Sequence, residues 1–327
     1  MGHNRRPAGM IRSDVVSVGV RASAPVRFAD VADPWQTPYD EGRRMNATPT
    51  RVLLRRYLTP WVAAACIISC ANPPPLLQTP LAFAPPPVRP TIAANLSAEQ
   101  TFLVDGQRTV LLLPRRSRRR LVLFSHGSGE TIESILQDEQ KEPIFAGLLA
   151  RGFAIAASDD FGTNWGVPWS VNQLVDLQRA AGRRFRTHQT VLVAQSMGGL
   201  DAFLAAPRLL HLKAVVGIFP VCNAQSVYDL KTYAYQMDAA YGVTAVTERA
   251  ALASRSPVPF PGVAWLHLRL LMFASDADRA VPKATNARAC ATAARAAGAA
   301  VTLVDTVGDH GDNSNFQPHR TVAFLDR

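Results

Sequence analysis

Residues 190–203, T-V-L-V-A-Q-S-M-G-G-L-D-A-F, constrain the chain most, because a strand pattern turns into a helical pattern there within about four residues. Val191, Leu192, Val193 and Ala194 form the short apolar run expected of a strand covered on both faces. The run stops at Gln195, and Gly198 and Gly199 let the backbone turn sharply. Leu200, Phe203 and Leu204 then fall at i, i+3 and i+4 on one helical face. Ser196 stands at the corner. Its hydroxyl is expected near a helix N-terminus, where unpaired backbone N–H groups favour an anion. The pattern A-x-S-x-G differs from the nucleophile elbow G-x-S-x-G only in having Ala194 at the first small position. Ser196 is therefore expected to be a nucleophile; the plainer alternative is a serine that caps a helix.

The same strand grammar recurs from Ser97 onward. Thr101–Val104 and Thr109–Leu113 flank a turn at Asp105 and Gly106. Further strands are predicted at Leu121–Phe124, Phe153–Ala157, Val191–Ala194, Ala214–Phe219, Leu268–Phe273 and Val301–Val304. Helical spacing lies between most of them, as at Ile144–Leu149, Val171–Leu177 and Ala284–Ala297. This alternation predicts an α/β fold: a mostly parallel eight-stranded sheet with helices on both faces and an antiparallel edge made by the first strands. In such sheets the site lies at the carboxyl ends of the strands.

A serine hydroxyl needs a base, usually a histidine oriented by a carboxylate. His310, in V-G-D-H-G-D directly after the last predicted strand, is the expected base. The carboxylate is sought in F-A-S-D-A-D-R-A-V-P, after the penultimate strand. Asp278, four residues before Pro282, is preferred there; Asp276 stays open, and a turn or helix cap is the alternative for both. An oxyanion needs two donors. Met197 supplies one backbone N–H, and the loop S-H-G-S-G-E supplies the other, from Ser128 with Gly127 or Gly129 close by.

Taken together, S-H-G-S-G-E, A-Q-S-M-G-G, S-D-A-D-R-A-V-P and G-D-H-G-D resemble the successive motifs of the α/β-hydrolase superfamily over about residues 97–327. The resemblance implies a triad Ser196, Asp278, His310, an oxyanion hole at Met197 and residues 126–129, and an acyl-enzyme route without a cofactor. D-A-D lacks the glycine and glutamate offsets of a calcium loop, so no metal is expected. An esterase is the expected activity, cleaving a small-molecule ester. A serine peptidase or amidase of the same fold is the alternative, and an envelope binding protein without turnover is the alternative from another class.

About residues 222–265 form an insertion where this superfamily often carries a cap. It contains Tyr228, Tyr233, Tyr235, Met237, Tyr241 and Phe260, expected either to roof an acyl pocket or to pack as the cap's own core. Asp159, Asp160, Asn164, Trp165 and Trp169 follow the fourth strand and either rim that pocket or order their loop.

The N-terminal part reads differently. Residues 1–44 lack sustained period and are expected to be a disordered leader, or to lie upstream of the true start at Met45. Residues 45–70 have the layout of a secretory signal: Arg51, Arg55 and Arg56, an apolar stretch from Tyr57 to Ile68, then Cys70. The apolar stretch falls short of the roughly 20 residues that span a bilayer. Ile67, Ile68, Ser69 and Cys70 resemble a bacterial lipobox, which implies lipidation of Cys70; residues 71–96 read as a proline-rich tether. The expected location is a bacterial envelope, lipid-anchored or exported, with the cytoplasm as the alternative. Cys66 would leave with the signal, while Cys222 and Cys290 would remain as buried thiols or as a pair.

The formal charge of +10 includes the run Arg115, Arg116, Arg118, Arg119 and Arg120, read as a solvated loop. Without interleaved aromatics or a nucleic-acid motif it does not point to nucleic acid; contact with a membrane or an anionic glycan fits it better.

Overall fold

The structure is a computed structural model that describes residues 86–242, 250–256, 258 and 262–327. The leader, the signal-like segment with Cys66 and Cys70, most of the tether, and Phe260 lie outside the described residues. Among the described residues no helix is long and apolar enough to cross a membrane.

One sheet organises the chain. Its strands are β1 (Leu96–Val104), β2 (Gln107–Pro114), β3 (Arg120–Ser125), β4 (Phe153–Ser158), β5 (Gln189–Gln195), β6 (Leu212–Ile218), β7 (Arg269–Ser275) and β8 (Ala300–Thr306), in spatial order β1-β2-β4-β3-β5-β6-β7-β8. β1 pairs antiparallel with β2, and β2 with β4; the remaining neighbours are parallel. Asp105 and Gly106 both take positive φ, as a two-residue hairpin turn of the right twist requires.

Period-2 alternation divides the central strands between two cores. Val122, Phe124, Val191 and Val193 face helices α1 (Pro90–Asn95), α2 (Ile132–Gln137), α3 (Glu142–Ala150) and the C-terminal helix Pro318–Leu325. Leu121, Leu123, Leu192 and Ala194 face α4 (Pro168–Phe185), α5 (Gly198–Ala205) and the helix Ala289–Ala296. Burial on both faces explains why these strands read as continuous apolar runs.

Three expectations need adjustment. The domain begins before Ser97: α1 lies within the span read as tether, and Ile92, fully buried, joins the core beneath α3. Pro90 at the first helical turn suits a helix start, so a proline-rich stretch contains an ordered element. Arg120 is not part of a solvated loop. It opens β3, donates to Asp326 and to the Arg151 carbonyl at 2.8 Å each, and lies 3.9 Å over the Phe153 ring. The helix expected over residues 284–297 starts as a π-helical turn, Ala284–Arg288, before Ala289–Ala296. For the two cysteines the first of the two expectations holds: Cys222 and Cys290 are buried free thiols, and burial pushes the Cys222 thiol up.

The insertion carries α6 (Ala224–Asp229), α7 (Ala234–Tyr241) and a short helix, Gly262–Trp265. Its buried side chains form no separate core but join the one between the sheet, α4 and α5. Met237 and Trp265 are fully buried, and the Trp265 ring packs 6.1 Å from Phe203 of α5. Tyr241 donates to the Trp165 carbonyl at 2.8 Å, and the Tyr233 ring lies 5.1 Å from that of Trp165. Tyr235 is 85% exposed and roofs nothing. Asn164 and Trp165 are fully buried and Asp160 nearly so, and they order the loop after β4; Trp169 packs on Phe161 at the surface.

Candidate active site

The corner after β5 is a tight turn. Ser196 takes φ 49°, the left-handed region that a residue with a Cβ avoids, and its N–H donates to the Ile218 carbonyl at 3.0 Å. The strain persists because the next helix is wedged against neighbouring strand ends. A Cβ on Gly198 would meet the Ser125 carbonyl oxygen at 2.4 Å, and one on Gly199 the Val221 oxygen at 2.6 Å. The two glycines therefore let α5 approach closely enough for Ser196 to stand at the top of the sheet.

Two other strand ends bring their side chains to it. Ser196 Oγ lies 2.9 Å from His310 Nε2, and His310 Nδ1 lies 2.8 Å from Asp278 Oδ2. A carboxylate only accepts, so Nδ1 carries the proton toward Asp278 and Nε2 is left to accept from the serine. Asp278 is nearly buried; its other oxygen accepts from the N–H groups of Ala280 and Val281 at 3.0 and 2.8 Å. Asp276 does not take part. It is exposed and pairs with Lys283 and Arg288, and the Lys283 ammonium holds its carboxyl below the usual range.

The imidazole is held from two further sides. The Phe219 ring packs edge-on at 4.6 Å, backed by Phe316 at 5.5 Å. Asp309 accepts from the N–H groups of Arg279 and His310, at 3.0 and 2.8 Å, which keeps its carboxyl below the usual range and ties the histidine loop to the Asp278 loop. Tyr233 of the cap faces the same region, and burial, with Asp278 and Asp309 nearby, raises its phenol.

Met197 follows Ser196 directly at the N-terminus of α5, with Ser128 and Gly129 in the loop after β3. Gly127 does not serve as a donor to substrate. Its N–H donates to Glu130 Oε2 at 2.8 Å, so that amide is committed within the loop. Ser128 Oγ donates to Gln236 Oε1 of α7 at 2.8 Å, which joins this loop to the cap.

Sequence reasoning missed the group beneath the loop. Glu130 Oε1 accepts from Lys141 Nζ at 2.8 Å and from Gln195 Nε2 at 3.2 Å, and Lys141 is almost fully buried. The glutamate closes S-H-G-S-G-E and could have been singled out there; Lys141 carries no such signal, because only packing buries it. Among the described residues no cluster of three or more His, Cys, Asp or Glu side chains is placed to hold a metal ion.

No family model matches the sequence, and no curated protein matches it. The fold does have solved counterparts. Acylaminoacyl peptidase from Pyrococcus horikoshii superposes with a TM-score of 0.57 at 14% identity, over 70% of this chain and 41% of that one. A puromycin-hydrolyzing peptidase from Mycobacterium tuberculosis gives 0.55 at 18%, over 71% and 38%. An esterase from Pyrococcus furiosus gives 0.53 at 12%, over 74% and 97%. The chain thus spans about two fifths of the two peptidases and nearly all of the esterase. At these identities the likeness is one of fold, and with the eight-stranded sheet it establishes the α/β-hydrolase fold for this chain.

Proposed function

We propose that this protein is a serine hydrolase that cleaves a carboxylic ester through an acyl-enzyme on Ser196. The observation that carries the reading is the relay Ser196 Oγ to His310 Nε2, 2.9 Å, and His310 Nδ1 to Asp278, 2.8 Å. His310 Nε2 takes the hydroxyl proton as Oγ attacks the carbonyl carbon, and Asp278 stabilises the imidazolium that forms. The backbone N–H groups of Met197 and of Ser128 or Gly129 meet the oxyanion, each worth about 3 to 4 kcal/mol in the transition state. His310 then protonates the departing alcohol. Water, deprotonated by the same nitrogen, attacks the acyl-enzyme, and Ser196 recovers its proton.

Peptide or amide cleavage is the second reading, favoured by the likeness to two structures named as peptidases. The relay serves both reactions, since His310 protonates an amine as it does an alcohol. Fluorophosphonate labelling with mass mapping tests the nucleophile: an adduct on Ser196, absent from Ser196→Ala, supports it. No adduct on a folded protein would favour a binding protein without turnover. Relative rates on p-nitrophenyl esters and peptide anilides decide between ester and amide.

The lipobox-like end at Cys70 supports placing the enzyme at a bacterial envelope. Palmitate incorporation that disappears in Cys70→Ala is the expected result; a soluble product that keeps its leader would overturn that placement.

A further inference from the structure

The sheet has two ends, and the second is chemically unlike the first. Ser196, Asp278 and His310 follow the carboxyl ends of β5, β7 and β8. At the opposite end, where the parallel strands begin, the fold gathers cations that are scattered in sequence. The β2–β3 loop brings Arg115, Arg116, Arg118 and Arg119, all exposed. The end of α4 and the segment after it bring Arg183, Arg184 and Arg186, and the second residue of β6 is Lys213, also exposed.

These loops are bonded to one another. Thr187 Oγ1 and His188 N–H donate to the Arg119 carbonyl at 2.8 and 3.0 Å, Arg118 N–H donates to the Gly152 carbonyl at 3.0 Å, and Thr190 N–H to the His211 carbonyl at 3.1 Å. Strand register places them side by side, with Arg120 opposite Gln189 and Thr190 opposite Leu212. Arg184 is held over the Phe102 ring at 3.8 Å; among the described residues, none of the eight cations has a carboxylate within ion-pair distance, and Asp326, which also lies at this end, is taken by Arg120 and Arg151.

Two further features belong to this end. Gln178, Arg179, Arg183, Thr187, Leu210 and His211 line a groove of about 260 Å³, in which Arg179 is paired with Asp176 and Arg183 has no carboxylate partner among the described residues. Leu210 and Leu266, which precede the adjacent strands β6 and β7, are 61% and 55% exposed. Unpaired cations around exposed leucines suit a surface that is anionic at its face and apolar just beneath. They lack the stacking aromatics of a single-strand binder, and the exposed leucines have no counterpart in the phosphate contacts of a duplex.

We infer that this end of the domain docks on an anionic phospholipid surface, leaving Ser196 directed away from the membrane. The contact does not depend on the hydrolase reading. It also adds something a tether lacks, since a flexible linker sets reach whereas a charged face sets orientation.

The test uses the full chain with Cys70→Ser, so that no acyl anchor contributes. Vesicles of phosphatidylcholine alone are compared with vesicles containing about 30 mol% phosphatidylglycerol, at two salt concentrations. Cosedimentation is expected to be at least about tenfold stronger on the anionic vesicles and to weaken with salt. The leader has arginines of its own, so the decisive comparison is within the domain. Arg115→Ser, Arg116→Ser, Arg118→Ser and Arg183→Ser together should remove most of the anionic preference, with the thermal midpoint unchanged, and Leu210→Ser should weaken binding on its own. Unchanged binding in the fourfold variant, equal binding to both vesicle types, or tighter binding to a duplex oligonucleotide at the same salt would each overturn the inference.

Discussion

The Lys141 ammonium, almost fully buried, lies 2.8 Å from Glu130 Oε1, and the other oxygen of that carboxylate holds the Gly127 N–H at 2.8 Å. A partly buried ion pair thus lies directly under the loop from which one oxyanion donor is proposed. Lys141 also donates to Asp138, and its charge lies 5.6 Å over the ring of Phe316, which backs Phe219 behind His310. The pair neutralises a carboxylate that would otherwise place negative charge beside a developing oxyanion.

Glu130→Ala should lower kcat by about 10- to 100-fold with little change in KM, because it frees the loop without touching the ground-state carbonyl. Lys141→Met should cost about 1 to 3 kcal/mol of stability, since it leaves the partly buried carboxylates of Glu130 and Asp138 without their charge partner. Glu130→Gln combined with Lys141→Met should recover part of that loss in urea unfolding, since Asp138 stays without its partner. A double variant no more stable than Lys141→Met would assign the lysine another structural role.

Asp278→Asn should reduce turnover by about 10⁴-fold while Asp276→Asn leaves it nearly unchanged, because only the first carboxylate touches His310. Ser196→Ala and His310→Ala should each lose at least about a thousandfold. Steady-state rates on one ester decide all four.

Gly198→Ala should abolish correct folding of the elbow. Its Cβ would meet backbone oxygens of Ser125 and His126 at 2.4 and 2.6 Å, and backbone at a strand end does not yield. Loss of soluble protein, or a clear drop in thermal midpoint, is the expected result; a variant as stable as the parent would contradict the close approach.

Asp201, on α5, accepts from Ser170 Oγ at 2.6 Å, and burial pushes its carboxyl up to about 7, against the influence of that bond and of Arg255. Asp160 is also raised, by burial and then by Asp201. The folded state therefore holds a proton that the unfolded chain releases near pH 4. The stability this confers is greatest at low pH and declines by about 1.4 kcal/mol per pH unit for the Asp201 proton as pH rises from about 4 to 7. Asp201→Asn should flatten that decline in thermal unfolding between pH 5 and pH 8, and an unchanged slope would remove Asp201 as its source.

Legibility differed by kind of interaction. Ser196 and its turn were readable because strand, corner and helix are local and leave a pattern within a dozen residues. His310 and Asp278 were readable because loops at strand carboxyl ends converge whatever lies between them. Asp276 and Asp278 were separable only in three dimensions, where Lys283 draws one outward and His310 meets the other. Gly127 lies in the loop that the sequence offers for the oxyanion, but its N–H answers to Glu130.

By itself, the sequence determined the order and burial of the strands, the elbow and the residues able to form a relay. Apolar periodicity and glycine positions are properties of neighbouring residues, and they survive in a linear string. Tertiary structure alone decided that Lys141 is buried against Glu130, that Arg120 leaves its basic run to pair with Asp326, and that the remaining cations meet at one end of the sheet. Those outcomes depend on which distant groups packing brings within a few ångströms, and charge in a string has no direction until the chain folds.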